Sequence, residues 1–147
     1  MKTLFYLLPL LAGVAMSIQS GINGQLRAAT HHPVLSAFIS FLGGTIALEI
    51  MLFFTRQAMP SLQQYTAIEW YKYTGGLLGV FVVTAVLLTV QEIGASNMFV
   101  LIVAGQLLTA LLMDHFGVLG LRANPITWQK IVGMVMVVAG AWVVNKK

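Results

Sequence analysis

Five apolar stretches, each close to the length of a bilayer crossing, take up almost all of this 147-residue chain. They cover approximately residues 3–26, 34–54, 70–90, 97–116 and 126–145. A spanning helix needs roughly 20 predominantly apolar residues. In lipid the backbone must satisfy its own hydrogen bonds, so a crossing is a helix or a strand of a closed barrel. These runs lack the apolar–polar alternation of a barrel strand. The expected fold is therefore an all-α integral membrane bundle of five transmembrane helices. It forms one domain over residues 1–147, with no room for a soluble one.

Charge fits the same reading. Only 8% of the residues are charged, against roughly a quarter in soluble proteins. So few charges cannot coat a surface facing water, but they suit one facing lipid. The net charge of +4 sits at helix ends and not in a patch. That points to lipid headgroups as partner and away from nucleic acid. Cysteine is absent, which excludes a disulfide scaffold, thiolate metal sites and cysteine nucleophiles. Residues 4–16 imitate a signal peptide, but the apolar character continues past Ser17 without an Ala-x-Ala site. The segment is expected to stay as the first membrane helix.

The connections are short. Residues 27–33 join the first two helices, with Pro33 favouring a break. Residues 55–69 form the longest connection, with Pro60 and a loose apolar pattern at Leu62, Tyr65 and Ile68 that suits the membrane interface. Residues 92–97 read as a tight turn in which Ser96 or Asn97 caps the next helix. Residues 117–125 join the last pair. Five crossings put Lys2, Arg56, Lys72, Arg122 and Lys130 on one side and Arg27, Lys146 and Lys147 on the other. This is a weak positive-inside bias, favouring a cytoplasmic N-terminus. A chain inserting both ways would show the same weakness. Trp70, Tyr71, Tyr73 and Trp128 form an aromatic belt on one face, with Trp142 near the other.

The polar residues within the spans are few. Gln19-Ser20-Gly21-Ile22-Asn23-Gly24-Gln25 interrupts the first helix, with Gln19 and Asn23 four apart on one helical face. Amides are costly in hydrocarbon, so this face should point into protein or a wet cavity. It serves either as hydrogen-bonding glue between helices or as a substrate contact. Gln106 sits at the middle of the fourth helix, with the same two readings. Glu49, near the end of the second helix, and Asp114-His115, at the end of the fourth, are the candidates for coupling or gating. For Asp114-His115 the alternative is an end-of-helix pair that holds the adjacent loop. His31-His32 lacks metal-ligand spacing and is expected to be solvated. Small residues four apart (Gly13, Ser17, Gly21; Ser36, Ser40, Gly44; Gly75, Gly79) allow close helix packing. The fifth helix, nearly free of polar residues, is assigned to packing or dimerisation. No nucleophile–base pair, phosphate loop or metal cluster is readable, so no catalytic residue, metal site or cofactor is expected and the chain is not read as an enzyme.

Several runs together resemble a known family. They are residues 19–26, Ser40-Phe41-Leu42-Gly43-Gly44, Gly75-Gly76-Leu77-Leu78-Gly79, and the long stretch 105–117 that contains Gln106, Asp114 and His115. In this order they resemble the YdcZ-type branch of the drug/metabolite transporter superfamily, across essentially the whole chain. The resemblance implies a half-size, five-helix protein of the inner membrane, equivalent to half of a ten-helix inverted-repeat fold. Small multidrug resistance proteins, another branch, carry a carboxylate deep in the first of four helices; here Gln19 and Asn23 stand there instead. The expected function is small-molecule transport by alternating access. An odd helix count lets two oppositely oriented copies form an inverted repeat. A homodimer, antiparallel by preference, is therefore expected, with a substrate path between protomers lined by Gln19, Asn23 and Gln106. The alternative is a non-transporting accessory or assembly subunit whose amides serve packing alone.

Overall fold

Proline and glycine set the ends of the long helices. The computed structural model describes residues 2–56 and 58–146. Lys147 and the Lys2 side chain, both counted in the charge balance, lie outside what is described. Helix α1 runs over Lys2–Thr30 and tolerates Pro9 inside it. Helix α2, Pro33–Thr55, begins with proline in its first turn, where a missing N–H leaves nothing unpaired. His32 caps it, its Nδ1 accepting from the Leu35 N–H at 3.2 Å. His31 and His32 are both exposed.

The long connection folds into a short helix, α3, over Leu62–Thr66. Ser61 and Gln64 close a reciprocal capping box at its start. A 3₁₀ turn over Trp70–Thr74 leads into α4, Gly75–Ile93. The Tyr73 hydroxyl donates to the Tyr65 carbonyl at 2.8 Å and ties the connection down. Glu69 and Lys72 form an exposed ion pair beside it.

Helix α5 covers Ala95–Phe116 and α6 covers Trp128–Asn145. Five of the helices, counting the 3₁₀ turn with α4, are long and apolar enough to span a membrane, as the sequence pattern predicts. Their ends differ from expectation by more than one residue at the end of α4, which runs to Ile93 and not 90, and in three further places. α1 runs to Thr30, four residues further than expected, because only His31 and His32 separate it from α2. α6 starts at Trp128 because Thr127, whose Oγ1 accepts from the Lys130 N–H at 3.4 Å, is its cap. The third difference is a correction: neither Ser96 nor Asn97 caps α5. Gly94 alone makes the turn, at φ 79°, a conformation that glycine adopts without strain. Asn97 lies inside the helix and donates back to the Ile93 carbonyl at 2.9 Å.

Two compact units divide the chain, Met1–Glu92 and Ile93–Lys147. In the first, α1 packs on α2, and the Thr30 and Ser36 hydroxyls meet at 2.6 Å across their turn. α4 closes on both: Val90 lies against Gly24, and Gly79 receives the Phe41 ring. In the second, α5 packs on α6. Fully or nearly buried apolar side chains are few in the described residues: Ala37, Leu87, Met98 and Ala141. A chain in water could not be stable on such a core, but lipid makes apolar exposure the normal state.

Candidate functional site

The polar turn of the first helix divides its work between two neighbours. Gln19, near the middle of the Leu4–Thr30 span, is exposed and lines a groove of about 250 Å³ with Ser40, Phe41, Gly44, Thr45 and Leu48 of α2. Gly44 borders open space, since a Cβ added there would meet nothing within 4 Å. Thr45 returns its own hydroxyl to the Phe41 carbonyl at 2.9 Å, so its oxygen is still an available acceptor. No charged residue lines this groove.

Asn23, one turn on, is 5% exposed. A helical step of four residues rotates about 40° around the axis, enough to carry Asn23 from the groove edge to the packed side. The two amides therefore share a stripe but not an environment. Beside Asn23, Ser20 is 3% exposed and its hydroxyl finds no partner among the described residues. Other helical hydroxyls, such as Ser17 and Thr89, donate to a carbonyl one turn back. Gln91 of α4 donates from Nε2 to the Gly24 carbonyl at 2.9 Å. Arg27 donates from Nη1 to the Leu87 carbonyl. Sequence reasoning treated Arg27 as a loop charge. The signal that could have found it is its spacing: Gln19, Asn23 and Arg27 recur every four residues.

Glu49 is exposed on α2 and, among the described residues, forms no ion pair with Arg56 or any other cation. In the second unit, Gln106 is exposed near the middle of the Ala95–Phe116 span. Asp114 lines a groove of about 380 Å³ with Leu107, Ala110, Lys130, Gly133 and Met134. Lys130 points its ammonium at the Asn124 and Pro125 carbonyls, each at 3.2 Å. His115 accepts through Nδ1 from the Ile126 N–H at 3.2 Å, and the Asp114 carbonyl accepts from the Asn124 N–H at 2.7 Å. Both residues thus hold the 117–127 connection onto the end of α5. No group of three or more metal-binding side chains occurs among the described residues.

Comparison with known proteins identifies the family. Residues 4–143 match the family described as "Putative inner membrane exporter, YdcZ". The chain belongs to that family. It is 25% identical over 136 residues to the inner membrane protein YdcZ of Escherichia coli K12, covering 92% of this chain and 91% of the relative. No solved structure matches it. This member of the family is a multi-pass protein of the inner membrane, and its family is one of membrane transporters.

Proposed function

We infer that the protein carries small molecules across the inner membrane as an antiparallel homodimer working by alternating access. The observation that carries this reading is the groove of about 250 Å³ beside Gln19. It sits at mid-span, is lined by one amide and two hydroxyl residues, and holds no charge. Ligand pockets commonly run from about 300 to 1,000 Å³. One protomer's groove is thus a partial enclosure, and a second copy would complete it. Oppositely oriented copies of a five-helix chain supply the inverted repeat that transporters rock about. Gln19, Asn23 and Gln106 are the proposed substrate-binding residues. Glu49, Asp114 and His115 are the proposed coupling or gating residues, near helix ends where protons and water reach them. Residues 1–147 act as a single transmembrane domain in this scheme.

The test is solute flux in vesicles of purified protein, using a broad panel of small polar compounds. Gln19→Ala, Asn23→Ala and Gln106→Ala should each lower flux about tenfold or more, as expected for losing a hydrogen bond that substrate needs. Unchanged flux in all three sinks the site. Absence of flux with the whole panel favours an accessory or assembly subunit. Tags on both termini, probed from each side, should report a mixed population; a uniform one rejects the antiparallel arrangement.

A further inference from the structure

We propose that the Gln19–Asn23–Arg27 stripe of α1 ends in an anion-binding site, in which Arg27, Asn23 and Ser20 hold the carboxylate or phosphate of a transported solute. This rests on the transport reading and narrows it to solutes that carry a negative group. Zwitterions are included.

Arg27 is the first support. An arginine close to the end of a spanning helix ordinarily extends its guanidinium outward to headgroups and water. Here it turns inward. Its Nη1 donates to the carbonyl of Leu87, a residue with no exposed surface that stands six positions before the end of α4. A guanidinium has five N–H donors and stays charged. The one inward bond described satisfies a single donor with a neutral carbonyl. Among the described residues Arg27 has no carboxylate partner. Glu92, the acid nearest in sequence on α4, is exposed and makes no ion pair with it. A partly buried cation in a low-dielectric surrounding calls for an anion.

Ser20 is the second, independent support. Its hydroxyl is buried and unpartnered, and does not return to its own helix as Ser17 does. The Asn23 carboxamide, equally buried, enters none of the hydrogen bonds of the described residues. Ser20, Asn23 and Arg27 stand at i, i+3 and i+7, one face of a helix, and span about 10 Å along its axis. Buried donors left unpaired are costly. Ser20 is one such donor, and it shares a face with the Asn23 amide and with a guanidinium that has donors to spare, so donors exceed acceptors there. An anionic oxygen cluster is the complementary chemistry. The α4 side of this face is held by the Gln91 bond to Gly24 and the Arg27 bond to Leu87, both side chain to main chain, and by the contact of Val90 with Gly24, so entry breaks two reversible hydrogen bonds and loosens that contact.

The full-length protein in phosphatidylcholine nanodiscs tests this by melting-temperature titration with benzoate, its uncharged counterpart benzamide, and inorganic phosphate. Benzoate or phosphate should bind at least about tenfold more tightly than benzamide. Arg27→Gln should remove that preference. Arg27→Lys keeps the charge without the planar fork, guards against a folding defect, and should retain part of it. Ser20→Ala should weaken anion binding while leaving the ligand-free melting temperature unchanged or raised; a lowered one marks a structural hydroxyl instead. Equal binding of benzoate and benzamide, no binding of either anion, or an unchanged Arg27→Gln variant each overturns the proposal. So does Arg27-dependent stabilisation seen only when phosphatidylglycerol replaces phosphatidylcholine, because Arg27 is then a headgroup anchor. Anion binding without flux would leave this site standing and reject transport, whereas flux without anion preference would do the reverse.

Discussion

The contact between α1 and α4 makes a graded prediction at Gly24. A methyl group added there would stand 3.6 Å from Val90 Cγ1, an ordinary van der Waals contact, so Gly24→Ala requires no movement. In water, alanine for glycine inside a helix gains about 1 kcal/mol. That gain reflects backbone entropy in the unfolded chain. A spanning segment stays helical when its bundle separates, since lipid offers the backbone no other partner. The expected change for Gly24→Ala is therefore under about 0.5 kcal/mol in either direction. Leucine at the same place drives its branched end into Val90 and displaces Gln91 from the Gly24 carbonyl. Overpacking costs about 1–3 kcal/mol and a lost interhelical hydrogen bond in lipid about 0.6, so Gly24→Leu should lose roughly 2–3 kcal/mol. Unfolding by dodecyl sulfate in mixed micelles, followed by circular dichroism and tryptophan fluorescence, measures both. A loss above about 1 kcal/mol for alanine means that α1 and α4 approach more closely at Gly24 than this contact allows, and a loss below about 1 kcal/mol for leucine means that they do not meet there; either result refutes the geometry.

Two further outcomes are expected. Gly117→Ala should lose about 1–2 kcal/mol, because φ is 60° there and the added carbon would meet Ala123 at 3.2 Å; the same unfolding assay reads it, and a neutral result rejects that turn geometry. The Glu69 carboxyl is held below its usual range, first by its hydrogen bond from Lys72, so any stability it lends exists above the ordinary carboxylate range and disappears as pH falls through the lowered folded value. Both partners are exposed and screened, so Glu69→Gln should leave the unfolding midpoint unchanged between pH 3 and 7, and a measurable drop at the upper end counts against that.

The spans were legible because lipid reduces the question to length and polarity, and Pro33 and the 117–125 segment punctuate them clearly. Their ends were less so. Gly94 makes the whole α4–α5 turn with one residue, and a polar Ser96-Asn97 pair beside it imitates a cap. The groove at Gln19 was half legible: an amide at mid-span is visible in sequence, but its partners Ser40 and Thr45 lie on another helix and follow only from packing. Arg27 was hidden by a boundary. Placed in a loop it is a solvated charge; placed in a helix that runs to Thr30 it joins the Gln19–Asn23 stripe and reaches the Leu87 carbonyl. The buried state of Ser20 has no counterpart in sequence at all, since a serine in a membrane helix ordinarily satisfies itself against the preceding turn.

Energies bear on whether these polar groups are glue or site. A carboxamide in hydrocarbon without a partner costs roughly 2–7 kcal/mol. An interhelical hydrogen bond in lipid returns about 0.6 kcal/mol on average. As glue, then, Gln19 and Gln106 are a poor exchange for leucine, and among the described residues neither side chain makes a hydrogen bond to a neighbouring helix. Two arrangements remove the cost: a second copy that covers them, or a wet cavity that solvates them. The proposed transporter dimer would use both, because the interface that hides the amides from acyl chains would also be the one that opens to water. The same reasoning separates Gln19 from Gln91. Gln91 bonds the Gly24 carbonyl inside the chain and is explained by packing. Gln19 faces an uncharged groove with room beside it, which leaves its amide free to bond an occupant of that groove.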